Sequence, residues 1–349
     1  VTAPRDSEFV VVGQGLAGTA VACQLRRRGR RVLVMDRGDP HAASRVAAGL
    51  ITPYTGRRLA RTWRLDDCFP VASAFYRSAE AETGARFLHQ APALRLFTSR
   101  DERETAAARI GPSHFDRLIN PSWFTAEHGG CDLTPAARLD TVRYLDAYRT
   151  LLEKEHAFLA ADFDPSADVE PTADGVRLPR FGLRVKGVIF CQGVGGVGNP
   201  WFPTVSYNPA RGEILTLRVP GLGETRPVHH ATWLAPLGDG RFLAGSTYDR
   251  DDLTPAPTAL GRAAIEEGLR AFLRLPFEVT GHRAGVRPVL LTTRPMLGVH
   301  PRFSGLAILT GLGSKGSLYA PYFAAQLVDH LLDGRPIDAD VRLPAEPPC

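Results

Sequence analysis

The chain has 349 residues, more than one typical domain, and 44% of them are hydrophobic, ample for a sizeable core. No uninterrupted apolar stretch approaches the roughly 18 to 20 residues that a membrane helix needs, so no membrane partner is expected. Five scattered cysteines, never in a CxxC pair, argue against a disulfide framework and a zinc site, while the net charge of +5 rests almost wholly on arginine, with lysine only at Lys154, Lys186 and Lys315.

Residues 1–8 are polar and lead straight into a strand, which predicts no signal peptide and, with the cysteine pattern, a cytoplasmic protein. Residues 8–12 are strongly β-favouring and end at Gly13. Residues 16–28 carry apolar side chains at helical spacing, with Leu16, Ala20 and Cys23 beside Ala17, Val21 and Leu25. Gly29 stops this helix, and residues 31–35 (RVLVM) read as a second buried strand. Strand, glycine turn, helix and strand within about 30 residues make a βαβ unit, whose crossover forces the strands parallel. Residues 67–83 read as an amphipathic helix ending at Gly84, and the alternating ALRLFT within 88–98 as a strand. A long helix is expected over 135–157, with Thr134 as N-cap and Pro135 at the first helical position. Short strands and turns fill 158–190. Residues 205–280 hold β-like runs such as EILTLRV and RFLAG, then a helix over 258–273. Residues 307–310 read as a strand and 321–332 as a helix after a glycine-rich turn, and the proline-rich tail past Pro344 is expected to be loose.

The expected fold class is α/β, beginning and ending in α/β texture with an inserted α+β lobe of mostly antiparallel sheet. The cofactor domain is discontinuous, drawn from 1–85, 140–204 and 281–349, and the substrate lobe from 86–139 and 205–280. The arginine runs at 26–31 and 57–61 invite a nucleic-acid reading. A solvated helix end in an arginine-biased composition is the plainer one.

Three motifs carry chemistry. The first is Gly13-Gln14-Gly15-Leu16-Ala17-Gly18, with Asp36 and then Arg37 at the end of the next strand. Gly13 permits the tight turn, Gly15 lets backbone N–H groups approach a pyrophosphate, and Gly18 allows close helix–strand packing. The helix start supplies free donors for phosphates, and Asp36 is placed to accept from ribose hydroxyls. An ADP-containing cofactor follows; FAD against NAD does not. The second is Ala43-Ser44-Arg45-Val46-Ala47-Ala48-Gly49-Leu50-Ile51, small residues that let backbone lie against a flat ligand, or else a plain loop. The third is Gly311-Leu312-Gly313-Ser314-Lys315-Gly316-Ser317, which lacks P-loop spacing but forms another nest of donors at a helix start.

In this order the three stretches resemble the FAD-dependent oxidoreductases of the D-amino-acid oxidase (DAO) family, which includes glycine oxidase, sarcosine oxidase and the oxidase half of the bifunctional tRNA 5-methylaminomethyl-2-thiouridine biosynthesis enzyme. Residues 188–193 resemble its strand and A-x-G-like turn, Gly285-Val286-Arg287-Pro288 its GxRP, and Arg294-Pro295-Met296-Leu297-Gly298 its proline segment. The resemblance implies a glutathione-reductase-like FAD domain. Its cofactor contacts would come from Gly13, Gly15, Leu16, Ala17, Gly18, Asp36 and Arg37, and from Ser44, Arg45, Ala47, Ala48, Gly49 and Leu50. Gly193, Arg287, Gly311, Gly313, Ser314, Lys315, Gly316 and Ser317 would complete the set.

The activity implied is oxidation of a glycine-like or N-substituted glycine amine by hydride transfer from the α-carbon to flavin N5, with oxygen reduced to hydrogen peroxide. Arg287 would clamp the substrate carboxylate, Lys315 would face flavin and substrate, and Trp233 would stand where relatives carry a tyrosine wall. A structural ion pair, a solvent lysine and lobe packing are the alternatives. His229 and His230 read as a surface or lobe-packing pair, and no catalytic histidine is nominated. Sarcosine oxidase attaches its flavin through a cysteine before this segment; here Val289, Leu290 and Leu291 stand there, which predicts noncovalent FAD. A dehydrogenase passing electrons to another acceptor, an NAD(P)H-dependent flavin enzyme and a stand-alone tRNA-modifying oxidase are the competing functions. No second GxGxxG serves a nicotinamide, and the missing methyltransferase half weighs against tRNA.

Overall fold

A computed structural model describes residues 7–56, 58–112, 115 and 119–344. The first six residues, Arg57 and the tail after Pro344, for which expectations were drawn, lie outside the described residues. One six-stranded sheet runs in the order Phe158–Ala160, Val32–Asp36, Phe9–Val12, Gly187–Phe190, Leu306–Thr310, Met296–Val299. Its first five strands are parallel and the last is antiparallel. Phe9–Val12 and Leu306–Thr310 are buried along their whole length, as central strands covered on both faces must be. The helices Leu16–Arg27, Leu65–Thr83, Thr141–Lys154 and Gly316–Asp333 pack one face. A three-stranded antiparallel sheet (Glu170–Thr172, Gly175–Leu178, Leu183–Val185) covers the other.

A second sheet has seven strands: Glu278–Arg287, Ala210–Arg218, Arg241–Gly245, Trp233–Gly238, Val228–His229, Ala93–Leu96 and Gly130–Leu133. All neighbours are antiparallel except Val228–His229 with Ala93–Leu96. The helix Ala259–Arg270 packs on its outer face, started by Thr258, whose hydroxyl accepts from Gly261 N at 3.0 Å. The two-lobe division is kept as a proposal, with one boundary moved. Glu278–Arg287 pairs with Ala210–Arg218 through Arg287, so the second lobe extends past residue 280.

The structure corrects two sequence expectations and sharpens two more. The helix expected from residue 135 starts at Thr141, where the Asp140 carboxylate accepts from Arg143 N at 3.1 Å. Residues Ala137–Leu139 form instead a buried strand between Leu50–Ile51 and Leu88–Gln90. Pairing on both sides outcompetes local helix propensity there. The last helix begins at Gly316, so Pro321 lies inside it. Proline has no N–H for the Ser317 carbonyl, and the buried Tyr76 hydroxyl donates to that oxygen at 2.9 Å. ALRLFT alternates in sequence, yet Ala93–Leu96 is buried on both faces, because Arg95 Nε pairs with Glu102 Oε1 at 2.6 Å inside the lobe. The helix Arg100–Arg109 that carries Glu102 had no apolar periodicity to announce it. Finally, His229 sits within a strand with its Nε2 buried and His230 lies against Phe272, so of the two readings of this pair the packing one holds.

Candidate active site

A continuous cavity of about 370 Å³ runs from Asp36 and Arg37 past the two glycine turns to Trp233 and Arg287, lined from both the six-stranded and the seven-stranded sheet. At one end the first strand stops at Gly13, whose φ of +100° suits glycine and where a Cβ would lie 2.5 Å from Cys191 O. A Cβ at Gly18 would fall 1.8 Å from Gly13 O, so Gly18 packs helix on strand and does not itself line the cavity. Gly15 caps the helix with no side-chain acceptor, leaving backbone donors at the positive end of the dipole. Leu16 N donates to Ser44 Oγ at 3.0 Å, which ties the second motif to the helix start. Asp36 accepts from Gln14 N at 2.7 Å and Gly38 N at 2.6 Å, so its carboxylate is fixed by backbone before any ligand arrives. Arg37 reaches the lining but pairs with Asp39 at 3.0 Å.

Ala17, Ser44, Ala47, Ala48, Gly49 and Leu50 all line the cavity, as do Gly193, Gly311, Gly313, Ser314, Gly316 and Ser317. The two helix starts converge, since a Cβ on Gly316 would come within 2.9 Å of Leu16 Cδ1. Arg45 points elsewhere, paired with Asp146 at 2.6 Å, and is not among the lining residues. Lys315 is also absent from the lining. It is half-buried without an ion pair among the described residues, and burial lowers its pKa to about 8. Beside it, burial and the charges of Arg95 and Lys315 push His229 down to about 3. Among the described residues neutral His229 has no hydrogen-bond partner for Nε2.

At the other end the Arg287 guanidinium donates to Arg211 O (3.1 Å), Ser246 Oγ (2.9 Å) and Thr247 O (3.3 Å), and lies 5.4 Å from the centre of the Tyr248 ring. Gly212 makes this possible, because a Cβ there would sit 2.0 Å from Arg287 Nη2. Among the described residues no carboxylate pairs with Arg287, and burial lowers its pKa from the ordinary value. Among the described residues the structural ion pair considered from sequence is therefore not formed. Trp233 lines the same end, its ring packed where a Gly245 Cβ would fall 2.9 Å from Cζ2. Sequence reasoning missed Gly212 and Ser246 in the lining. An isolated glycine in EILTLRV's strand was the one available signal for close approach.

The glycine cradle, the oriented Asp36 and the converging helix starts fit a dinucleotide lying along this cavity. The chain matches the family DAO, described as FAD dependent oxidoreductase, over residues 8–330. It belongs to that family.

The DAO-family assignment makes the chain an FAD-dependent oxidoreductase of the amino-acid and amine oxidase type. It is 27% identical over 354 residues to the tRNA 5-methylaminomethyl-2-thiouridine biosynthesis bifunctional protein MnmC of Caulobacter vibrioides, covering 95% of this chain and 55% of that protein. The chain thus spans about half the length of such bifunctional relatives. Glycine oxidase of Bacillus licheniformis is 23% identical, with 95% of each covered. The glycine oxidase structure from Geobacillus kaustophilus superposes with a TM-score of 0.81 at 19% identity, over 98% of this chain and 99% of that one. No helix among the described residues is long and apolar enough to cross a membrane.

Proposed function

We propose that this chain oxidises a small amine bearing a carboxylate, glycine-like or N-substituted glycine, with oxygen as the electron acceptor. The observation that carries the reading is Arg287: a half-buried guanidinium facing the cavity, held by three neutral oxygens and paired with no carboxylate among the described residues. A desolvated cation left without a counter-charge is costly, and its planar fork matches a carboxylate. A substrate carboxylate seated there supplies the missing charge. Trp233 gives an apolar wall opposite, which excludes water and orients the α-carbon.

FAD, held along this cavity by the glycine turns and Asp36, would supply a two-electron acceptor. The chain's own residues then bind and orient the amine and need not remove a proton from carbon. Around Arg287 the lining comprises Gly212, Ile214, Trp233, Ser246, Gly285, Val286 and Pro288, none of them a base at neutral pH. The amine must therefore enter or become neutral, which favours turnover at higher pH. Noncovalent attachment of FAD is supported by Cys191, the one cysteine among the described lining residues, whose thiol is buried and pushed up by burial, away from thiolate reactivity.

The names of the bifunctional relatives favour a second reading, action on modified tRNA. The arginine run at 26–28 gives it little support, because Arg26 pairs with Glu155, Arg27 with Glu82 and Arg28 with Asp329 and Asp333. Anaerobic titration of the FAD-loaded protein with glycine, sarcosine, other N-substituted glycines, D-amino acids and L-proline tests the proposal. Bleaching by a carboxylated amine is the expected result; bleaching by none of them, with salt-sensitive tRNA binding instead, would favour the second reading.

A further inference from the structure

A second cavity opens on the substrate lobe, beside the main one and separate from it. Its lining includes Arg138, His89, Leu237, Gly238, Asp239 and Arg241. Arg138 lies on the strand Ala137–Leu139, with Leu50 as its partner on one side and His89 on the other. Leu50 in turn lines the main cavity. The two cavities are therefore one strand apart, about 5 Å between paired Cα atoms.

Arg138 is only 7% exposed, yet among the described residues its guanidinium makes no hydrogen bond and no ion pair, and its nitrogens open on the cavity. Its nearest attraction is Asp140, which stays beyond pairing distance because its carboxylate caps the Thr141–Lys154 helix. Burial accordingly lowers the Arg138 pKa from its ordinary value. The cavity's other charges do not answer it. Glu224 is spent on Arg226, through Nε and Nη2 at 2.9 and 2.8 Å, and on the backbone N–H of Thr225. Asp239 and Arg241, which also line the cavity, are both exposed. His89 is held below its usual pKa by burial and by Arg138, so it adds no positive charge at neutral pH.

We propose that this cavity is an oxyanion site, taking a carboxylate or a phosphate group on the Arg138 fork, distinct from the carboxylate position at Arg287. A guanidinium whose stem is buried and whose nitrogens open on a cavity without a protein partner is stabilised by an anion there, and its fixed geometry suits a planar or tetrahedral oxyanion accepting two N–H bonds. The charge belongs either to the distal end of a substrate that reaches past Leu50 or to a separate small anion.

The test needs no turnover, so it stands or falls apart from the amine-oxidase reading. FAD-loaded protein is titrated with inorganic phosphate and with malonate, following calorimetric heat and the rise in melting temperature. Arg287→Met is expected to keep saturable binding of at least one probe, and Arg138→Met to weaken that binding by on the order of tenfold or more. Arg138→Lys, which keeps the charge but loses the fork, is expected to fall between them. It also covers the case in which Arg138→Met does not fold. Wild-type affinity in the Arg138 variants, or no saturable binding in Arg287→Met, overturns the proposal. The source is distinguished by KM for amines with one and with two carboxylates. A rise in Arg138→Lys confined to the doubly charged amines assigns the site to the substrate's distal group. Unchanged KM for both, with phosphate or malonate binding still weakened, assigns it to a separate anion.

Discussion

Replacing Arg287 by methionine removes the fork while keeping a side chain of similar reach. A hydrogen bond between charged partners contributes about 1.5 to 3 kcal/mol, so two parallel bonds to a carboxylate are worth about 3 to 6 kcal/mol. Arg287 is only half-buried, which favours the lower end; at about 1.4 kcal/mol per tenfold, affinity for a carboxylate falls roughly a hundredfold or more. The assay is the perturbation of the flavin spectrum by a nonreacting carboxylate such as acetate or benzoate, titrated into FAD-loaded wild type and variant. An amine without a carboxylate serves as control: it should reduce both proteins only at much higher concentration, and with equal affinity. If the variant binds the carboxylate within about threefold of wild type, the clamp assigned to Arg287 is wrong, since threefold is well under 1 kcal/mol.

Gly212→Ala should reproduce much of that loss without touching the arginine, because its Cβ would lie 2.0 Å from Arg287 Nη2; KM for the carboxylated amine is the readout, with kcat for the control amine unchanged. Asp36→Ala should weaken FAD binding by about tenfold to a hundredfold, since it removes both the ribose acceptor and the anchor for Gln14 N, and excess FAD should restore activity. Tyr76→Phe leaves the buried Ser317 carbonyl without its donor and should cost about 1 to 3 kcal/mol of stability, read from denaturant midpoints. Lys315 has a folded pKa lowered to about 8 by burial. The unfolded lysine, with its ordinary pKa near 10.4, therefore holds more protons between about pH 8 and pH 10.4, and wild-type stability rises with pH across that window. Lys315→Met should accordingly raise the melting temperature most below pH 8 and lose that advantage as pH climbs; a pH-independent difference would contradict the burial.

Much of the cofactor half was legible because its signals are local. Gly13, Gly15, Gly18 and Asp36 each answer a backbone requirement at fixed spacing, and the structure assembles them with the strand, helix and strand expected around them. The 43–50 and 311–317 segments needed the family pattern, since small residues in a loop do not say what they face. Long-range pairing hid the rest. Ala137–Leu139 became a strand because Leu50–Ile51 and Leu88–Gln90 flank it, and no property of the 135–157 window encodes those partners. Arg287 was visible as GVRP, whereas Gly212 and Ser246, which set its guanidinium in place, sit 75 and 41 positions earlier and meet it only through the seven-stranded sheet. Arg45 and Lys315 lay within recognised motifs, yet Asp146 draws one to the surface and the other turns towards His229.

Anaerobic mixing of the FAD-loaded protein with an N-substituted glycine, followed by admission of oxygen, tests the central claim most directly. The account predicts bleaching of the flavin by the carboxylated amine, little or none by its decarboxylated counterpart at the same concentration, and return of the colour with hydrogen peroxide when oxygen enters. Equal bleaching by both amines, or bleaching by NADPH and by neither amine, would contradict it.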